Sequence, residues 1–125
     1  MRFVTATITL AAACASAAVA VAGPAPRLSD VQFIAANRCL GIETSKTFAS
    51  PDADALRQLI KREDWGRTSF VYDKADQARD DGARDASRSG AENNIRLTSE
   101  RDGVCRAFAS TTTAAAPGGS HNMKQ

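Results

Sequence analysis

Between Gly23 and Gln125 the chain carries only 16 Leu, Ile, Val and Phe residues. This scarcity limits the available folds more than any other feature, because 16 in about 103 positions lies below the one-fifth level at which a highly charged chain stays disordered. The charge is not high: 16 Lys and Arg face 14 Asp and Glu, a formal net of +2. Self-repulsion therefore does not oppose compaction, and the expectation is a folded domain with a thin core. A thin core in so short a chain calls for a covalent staple.

The N-terminus predicts the compartment in which such a staple forms. Met1-Arg2 is followed by an uncharged, Ala-rich run from Phe3 to Pro26 that contains Ala20-Val21-Ala22 ahead of Gly23-Pro24. A short basic start, an apolar stretch and a small-x-small site are the layout of a secretory signal peptide. The expected organisation is a signal peptide over 1–22, cleaved after Ala22, a helical domain over 23–109 and a disordered tail over 110–125. The expected location is periplasmic or secreted, with no membrane association after cleavage. Leu10-Ala11-Ala12-Ala13-Cys14 resembles a bacterial lipobox, but its aliphatic residue sits one place early and the apolar run continues past Cys14. A lipid anchor on Cys14 is not the expected outcome.

Two cysteines follow the cleavage site, Cys39 and Cys105. An even pair in an oxidising compartment predicts one disulfide. Closing a loop of about 67 residues stabilises a fold by on the order of 4 kcal/mol in the chain-entropy model. A redox or metal role needs CxxC spacing or histidine partners, which these positions lack. The expectation is a structural bridge, with no metal and no cofactor. Past Ala22, 15 Lys and Arg against 14 Asp and Glu alternate along the chain. Nucleic-acid binders need their cations clustered on one face, so no nucleic-acid partner is expected.

The element pattern reads as all-α, three or four helices with one disulfide. Ser29 and Gln32 form a capping box, Leu28 is placed to staple against Phe33, and Val31, Ile34, Ala35, Cys39 and Ile42 keep helical spacing. Glu43 to Ala49 reads as a polar connection whose Phe48 returns to the core. Ser50-Pro51-Asp52 opens a second helix with Leu56, Leu59 and Ile60 on its apolar face, ended by Trp65-Gly66. A third helix, capped by Thr68 or Ser69, carries the small-residue stripe Val71, Ala75, Ala78 and Gly82, which lets another helix approach closely. Its outer face pairs Asp80 with Arg84, Asp76 with Arg79 and Asp85 with Arg88. From Ile95 to Phe108 a helix interrupted near Gly103 is expected, with a short C-terminal hairpin around Arg101-Asp102-Gly103 as the alternative.

Chemistry-bearing motifs are sparse. The single histidine, His121, lies in the expected tail, so no triad or multi-histidine metal site is assembled around it. Asp52/Asp54, Glu63/Asp64 and Asp80/Asp81 are near-neighbour carboxylates, but adjacent helical residues point about 100° apart. Aligning Gly82 on the glycine of a calcium loop puts Gln77, Arg79 and Arg88 at ligand positions. No catalytic residues are assigned. Trp65, Arg67 and Tyr72 are residue types enriched at binding hot spots and form a candidate contact patch, against the simpler expectation that Trp65 and Tyr72 close the core.

The layout of Arg38-Cys39, Gly66-Arg67 and a late helical Cys105 in an Ala/Arg/Asp-rich chain resembles small exported helical proteins with two cysteines and uncharacterised function. That resemblance spans roughly Val31 to Phe108, implies no activity and carries over no residue role. The functional expectation is a non-enzymatic accessory domain that binds a protein partner. The competing expectations are a small carboxylate-dependent hydrolase of the cell envelope and a structural protein that self-associates through the small-residue face of its third helix.

Overall fold

The computed structural model describes residues 26–88 and 90–115, and among these all regular structure is helical. Helix α1 spans Asp30–Glu43, α2 Asp52–Glu63, α3 Ser69–Ser87 and α4 Ala91–Glu100; a π-helical segment, Arg101–Cys105, then leads directly into α5, Arg106–Ala115. The expected signal segment 1–22, with Cys14, lies outside the described residues, as does His121. No helix among the described residues is long and apolar enough to cross a membrane.

The start of α1 follows its sequence. Gln32 N–H donates to Ser29 Oγ at 3.3 Å and Ser29 N–H to Gln32 Oε1 at 2.9 Å, which satisfies two of the donors a helix start leaves free. Its interior departs from the expected stripe. Val31 is exposed, whereas Phe33, Ala36 and Asn37 are buried, and every residue from Cys39 to Glu43 is buried. A helical stretch buried all round has neighbours on every side, and the second half of α1 is the central element, α1 packing on α2, α3 and the π-helical segment.

The two longest helices meet through glycine. A Cβ on Gly41 would stand 2.0 Å from the Arg79 carbonyl oxygen, and one on Gly82 would stand 2.4 Å from that of Arg38. Each backbone occupies the space a side chain would need, so α1 and α3 cross in direct backbone contact. The small-residue stripe of α3 is therefore covered by α1 of the same chain, and it is not a free surface through which copies of the chain could associate. On the outer face, Arg79 pairs with Asp76 and Arg88 with Asp85 as expected, but Arg84 takes Asp81 at 3.0 Å in place of Asp80.

Helix α2 begins one residue later than the Ser50-Pro51-Asp52 pattern sets it, with Pro51 as the cap residue and Asp52 first in the helix, while Ser50 Oγ accepts the Asp52 N–H at 3.0 Å. It buries Ala53, Leu56 and Leu59, and the chain reverses at Gly66, whose φ of 72° suits only glycine without strain. The hairpin alternative for residues 95–108 is replaced by a helix. The expected interruption at Gly103 is a π-helical turn, an insertion that lets the helix continue instead of ending. The helix also overruns the expected tail boundary at Ser110. Ser110 and Thr111 hydroxyls bond back to Arg106 and Phe108 carbonyls at 2.8 and 2.7 Å, and Thr112 Oγ1 donates to Ala55 O on α2 at 3.2 Å. Docking on α2 orders a segment whose composition alone carries no apolar period.

The core is divided as its scarcity demands. Phe33 packs with Val71 and Ala75; Ile42 with Phe48, Ala86 and Leu97; Cys39 and Leu40 with Ala53, Leu56, Cys105 and Ala109. The third cluster contains the disulfide Cys39–Cys105, Cα atoms 5.3 Å apart. Such a bridge belongs to an oxidising compartment.

Candidate functional site

The expected contact residues come together at one corner, in different roles. Trp65 does not close the core: 69% of it is exposed. The Arg27 guanidinium lies 4.1 Å from the indole centroid and donates to the Trp65 carbonyl oxygen. A planar cation stacked on the ring and bonded to its backbone favours this pose of the indole by about 0.5–1 kcal/mol, the range for an exposed cation–π pair. Tyr72 is half-buried, edge-on to Phe33 with ring centroids 6.4 Å apart, and its hydroxyl donates to the Asp64 carbonyl oxygen.

Arg67 is not a contact residue at all, for its side chain is only 2% exposed. Its guanidinium lies 4.2 Å over the Phe33 ring and donates to Glu63 O at 2.9 Å, Leu28 O at 2.9 Å and the Asp30 carboxylate. One fork thus ties the segment entering α1, the end of α2 and the turn before α3. Val31 on the first turn of α1 and Phe70 on the first turn of α3 are likewise exposed apolar residues. Lys74 Nζ lies 5.8 Å over the Phe70 ring. Val31 was not legible as a surface residue: it matches the helical period of α1, whose buried positions in the structure are Phe33, Ala36, Asn37 and Cys39 to Glu43.

A second constellation surrounds Glu43. Expected to open a polar connection, Glu43 instead closes α1, 1% exposed, with neither carboxyl oxygen in a hydrogen bond among the described residues. Burial pushes this carboxyl above its ordinary value of 4.5; the Ser50 hydroxyl and the charge of Arg101 oppose the shift, while Asp52 and Asp102 add to it. The negative end of the helix dipole also disfavours charge there. A legible signal did exist: an acid in the last turn of a helix, where a base is the favourable choice. Beside it lies a cavity of about 470 Å³ lined by Ser50, Pro51, Asp52, Arg101, Arg106 and Ser110.

A third cluster is structural. Arg38 Nε donates to Glu100 at 2.7 Å and its Nη2 to Asp85 at 3.0 Å, joining α1 to α3 and α4. The Glu100 hydrogen bond raises the Arg38 guanidinium further above its ordinary range. Burial alone would raise the Asp85 carboxyl, but the hydrogen bond from Arg38 and the charges of Arg38, Arg96 and Arg88 outweigh it and hold Asp85 below 3.8.

A carboxylate hydrolase needs two carboxyls facing one cleft. Each of the three described cavities is lined by a single one, Asp52, Glu92 or Glu63, so the geometry lends that reading no support. Among the described residues no group of three or more His, Cys, Asp and Glu is arranged to hold a metal. Fold and corner together define a small all-α domain stapled by one disulfide, with an exposed, braced aromatic residue. Comparison with known protein families, curated proteins and solved structures returns no match.

Proposed function

We propose that this chain is an exported, non-enzymatic accessory domain that binds another protein through the corner built on Trp65. The observation that carries the reading is a tryptophan 69% exposed and stacked under Arg27, on a turn that the covered side chain of Arg67 braces. Exposed large aromatics whose pose is already favoured lose less conformational freedom on association, as suits a binding hot spot. Phe70 and Val31, on the first turns of α3 and α1, are also exposed.

Export rests on the Phe3–Pro26 run, with cleavage after Ala22 and release to the periplasm or the medium; the disulfide is in keeping with it. The intact mass of the exported form, beginning at Gly23 with two thiols exposed only by reduction, is the expected result. Retention of Cys14 overturns the assigned cleavage.

Binding is tested with a photo-crosslinking amino acid placed at position 65 and, as a control, at Arg57 on the exposed face of α2. Crosslinks to one discrete protein from 65 and none from 57 support the reading; a crosslink to a second copy makes the partner the chain itself. Equal labelling from both positions overturns the proposal. Trp65 is the sole tryptophan, so a blue shift of its emission with the purified partner reports occupancy of this corner.

A further inference from the structure

We infer that Glu43, Ser50 and Arg101 form a proton-operated latch: while protonated, the Glu43 carboxyl stays sealed between the end of α1 and the π-helical turn, and on losing its proton to water it swings out onto Arg101 and releases the α1–α2 connection. The inference is independent of the Trp65 reading and rests on four observations.

Glu43 is buried with neither oxygen in a well-formed hydrogen bond among the described residues, the Ser50 hydroxyl being the polar group that faces it, an arrangement that costs a carboxylate far more than a neutral carboxyl. The charged groups acting on it come from two other elements, Asp52 on α2 and Arg101 and Asp102 on the π-helical segment, with the Ser50 hydroxyl from the connection between α1 and α2. Arg101 is the only cation of the set, and its present partner is the adjacent, half-exposed Asp102 at 3.3 Å. A neighbouring-residue pair at that exposure is weak and yields to a new carboxylate partner. The guanidinium also lies 5.8 Å over Phe48, a residue of the same α1–α2 connection, so its movement is coupled to that segment.

The element that moves is the π-helical turn. Gly103 at its middle has open space around its Cα, and Cys105 at its end is bonded to Cys39. Displacement is therefore confined to Arg101–Val104 and the facing connection, next to the 470 Å³ cavity lined by Ser50, Asp52 and Arg101. π-Helical turns inside α-helices frequently mark sites of function.

The test is amide hydrogen exchange on the full, disulfide-bonded chain between pH 4 and 7.5, expressed as protection factors to remove the intrinsic pH dependence, with the Glu43 side-chain carbon followed by NMR. Protection at residues 44–52 and 101–104 is expected to fall by at least about fivefold as a local opening, with a midpoint above 4.5, while amides at the α1–α3 crossing stay constant. Glu43→Gln is expected to abolish the transition and hold the low-pH protection throughout. Arg101→Gln, which removes the receiving cation, is expected to move the midpoint to still higher pH. A transition that survives in Glu43→Gln, a loss of protection spread evenly over the chain, or a Glu43 carbon titrating at or below 4.5 overturns the latch.

Discussion

Arg67 shows what a single side chain does in a protein with few apolar contacts. Its three directed hydrogen-bonding partners, Glu63 O, Leu28 O and Asp30, hold three separate segments over the Phe33 ring. A lysine keeps the charge but loses the planar fork. Arg67→Lys is expected to cost about 1–2 kcal/mol, and Arg67→Ala about 2–3 kcal/mol because two carbonyls lose their donor, both measured by urea unfolding. Glu43 behaves oppositely. Its folded pKa lies above the unfolded value, so the folded state holds the proton more tightly, and stability falls as pH rises from 4.5 through the folded value. Glu43→Gln is expected to be more stable than the parent by about 1 kcal/mol at pH 7 and equal to it at pH 4, by thermal melts at both. The role of Arg67 was not legible from residue type, and that of Glu43 only once α1 is known to run to its last turn there. Arginine near tryptophan reads as a contact pair until its side chain is seen folded over Phe33, and a glutamate at a polar junction reads as solvated until α1 is seen to bury its own last turn.

At the scale of elements, the crossing of α1 and α3 is decided by two glycines. Isolated glycines in helices normally weaken them by about 1 kcal/mol relative to Ala, so Gly→Ala would ordinarily stabilise. At Gly41 and Gly82 the added methyl meets backbone at 2.0 and 2.4 Å, which no rotamer relieves. Each substitution is expected to destabilise by about 3 kcal/mol or more, as overpacking does where the backbone itself must shift. Gly103→Ala, with nothing within 4 Å, is the internal control and is expected to be neutral or stabilising by up to about 1 kcal/mol. The same crossing carries the Arg38–Asp85–Glu100 cluster. Asp85 is held below its ordinary value, so its contribution is complete above 3.8 and is lost as pH falls through the lower folded value. Asp85→Asn is expected to cost about 1 kcal/mol at pH 7, a difference that closes below pH 3.8. The capping box of α1, the start of α2 and the small-residue stripe of α3 were all legible because each rests on local chemistry. What sequence spacing did not carry was the partner of that stripe, since nothing in one helix states which neighbour covers it.

For the whole molecule, scarcity of large apolar residues is met by dividing the interior into three small clusters arranged around α1 and by bonding α1 covalently to the chain 66 residues away. Both features follow from the composition and the cysteine count; the extension of α5 to Ala115 does not, because the chain there is ordered by docking on α2 and carries no apolar period of its own. The bridge constrains the unfolded chain by on the order of 4 kcal/mol, a large share of the roughly 5–15 kcal/mol that stabilises a domain. Cys39 is 1% and Cys105 0% exposed, so a reductant reaches them only when the structure opens. Reduction of the native protein is therefore expected to follow its unfolding rate and to accelerate sharply with denaturant, measured as thiols trapped by alkylation. Once both cysteines are replaced by alanine, the melting temperature is expected to drop by roughly 15 °C or more, taking 4–8 °C per kcal/mol for a domain of this size. A double variant that melts within a few degrees of the parent would mean that the three clusters hold the fold by themselves, and the disulfide would then be a mark of the compartment without being a support of the structure.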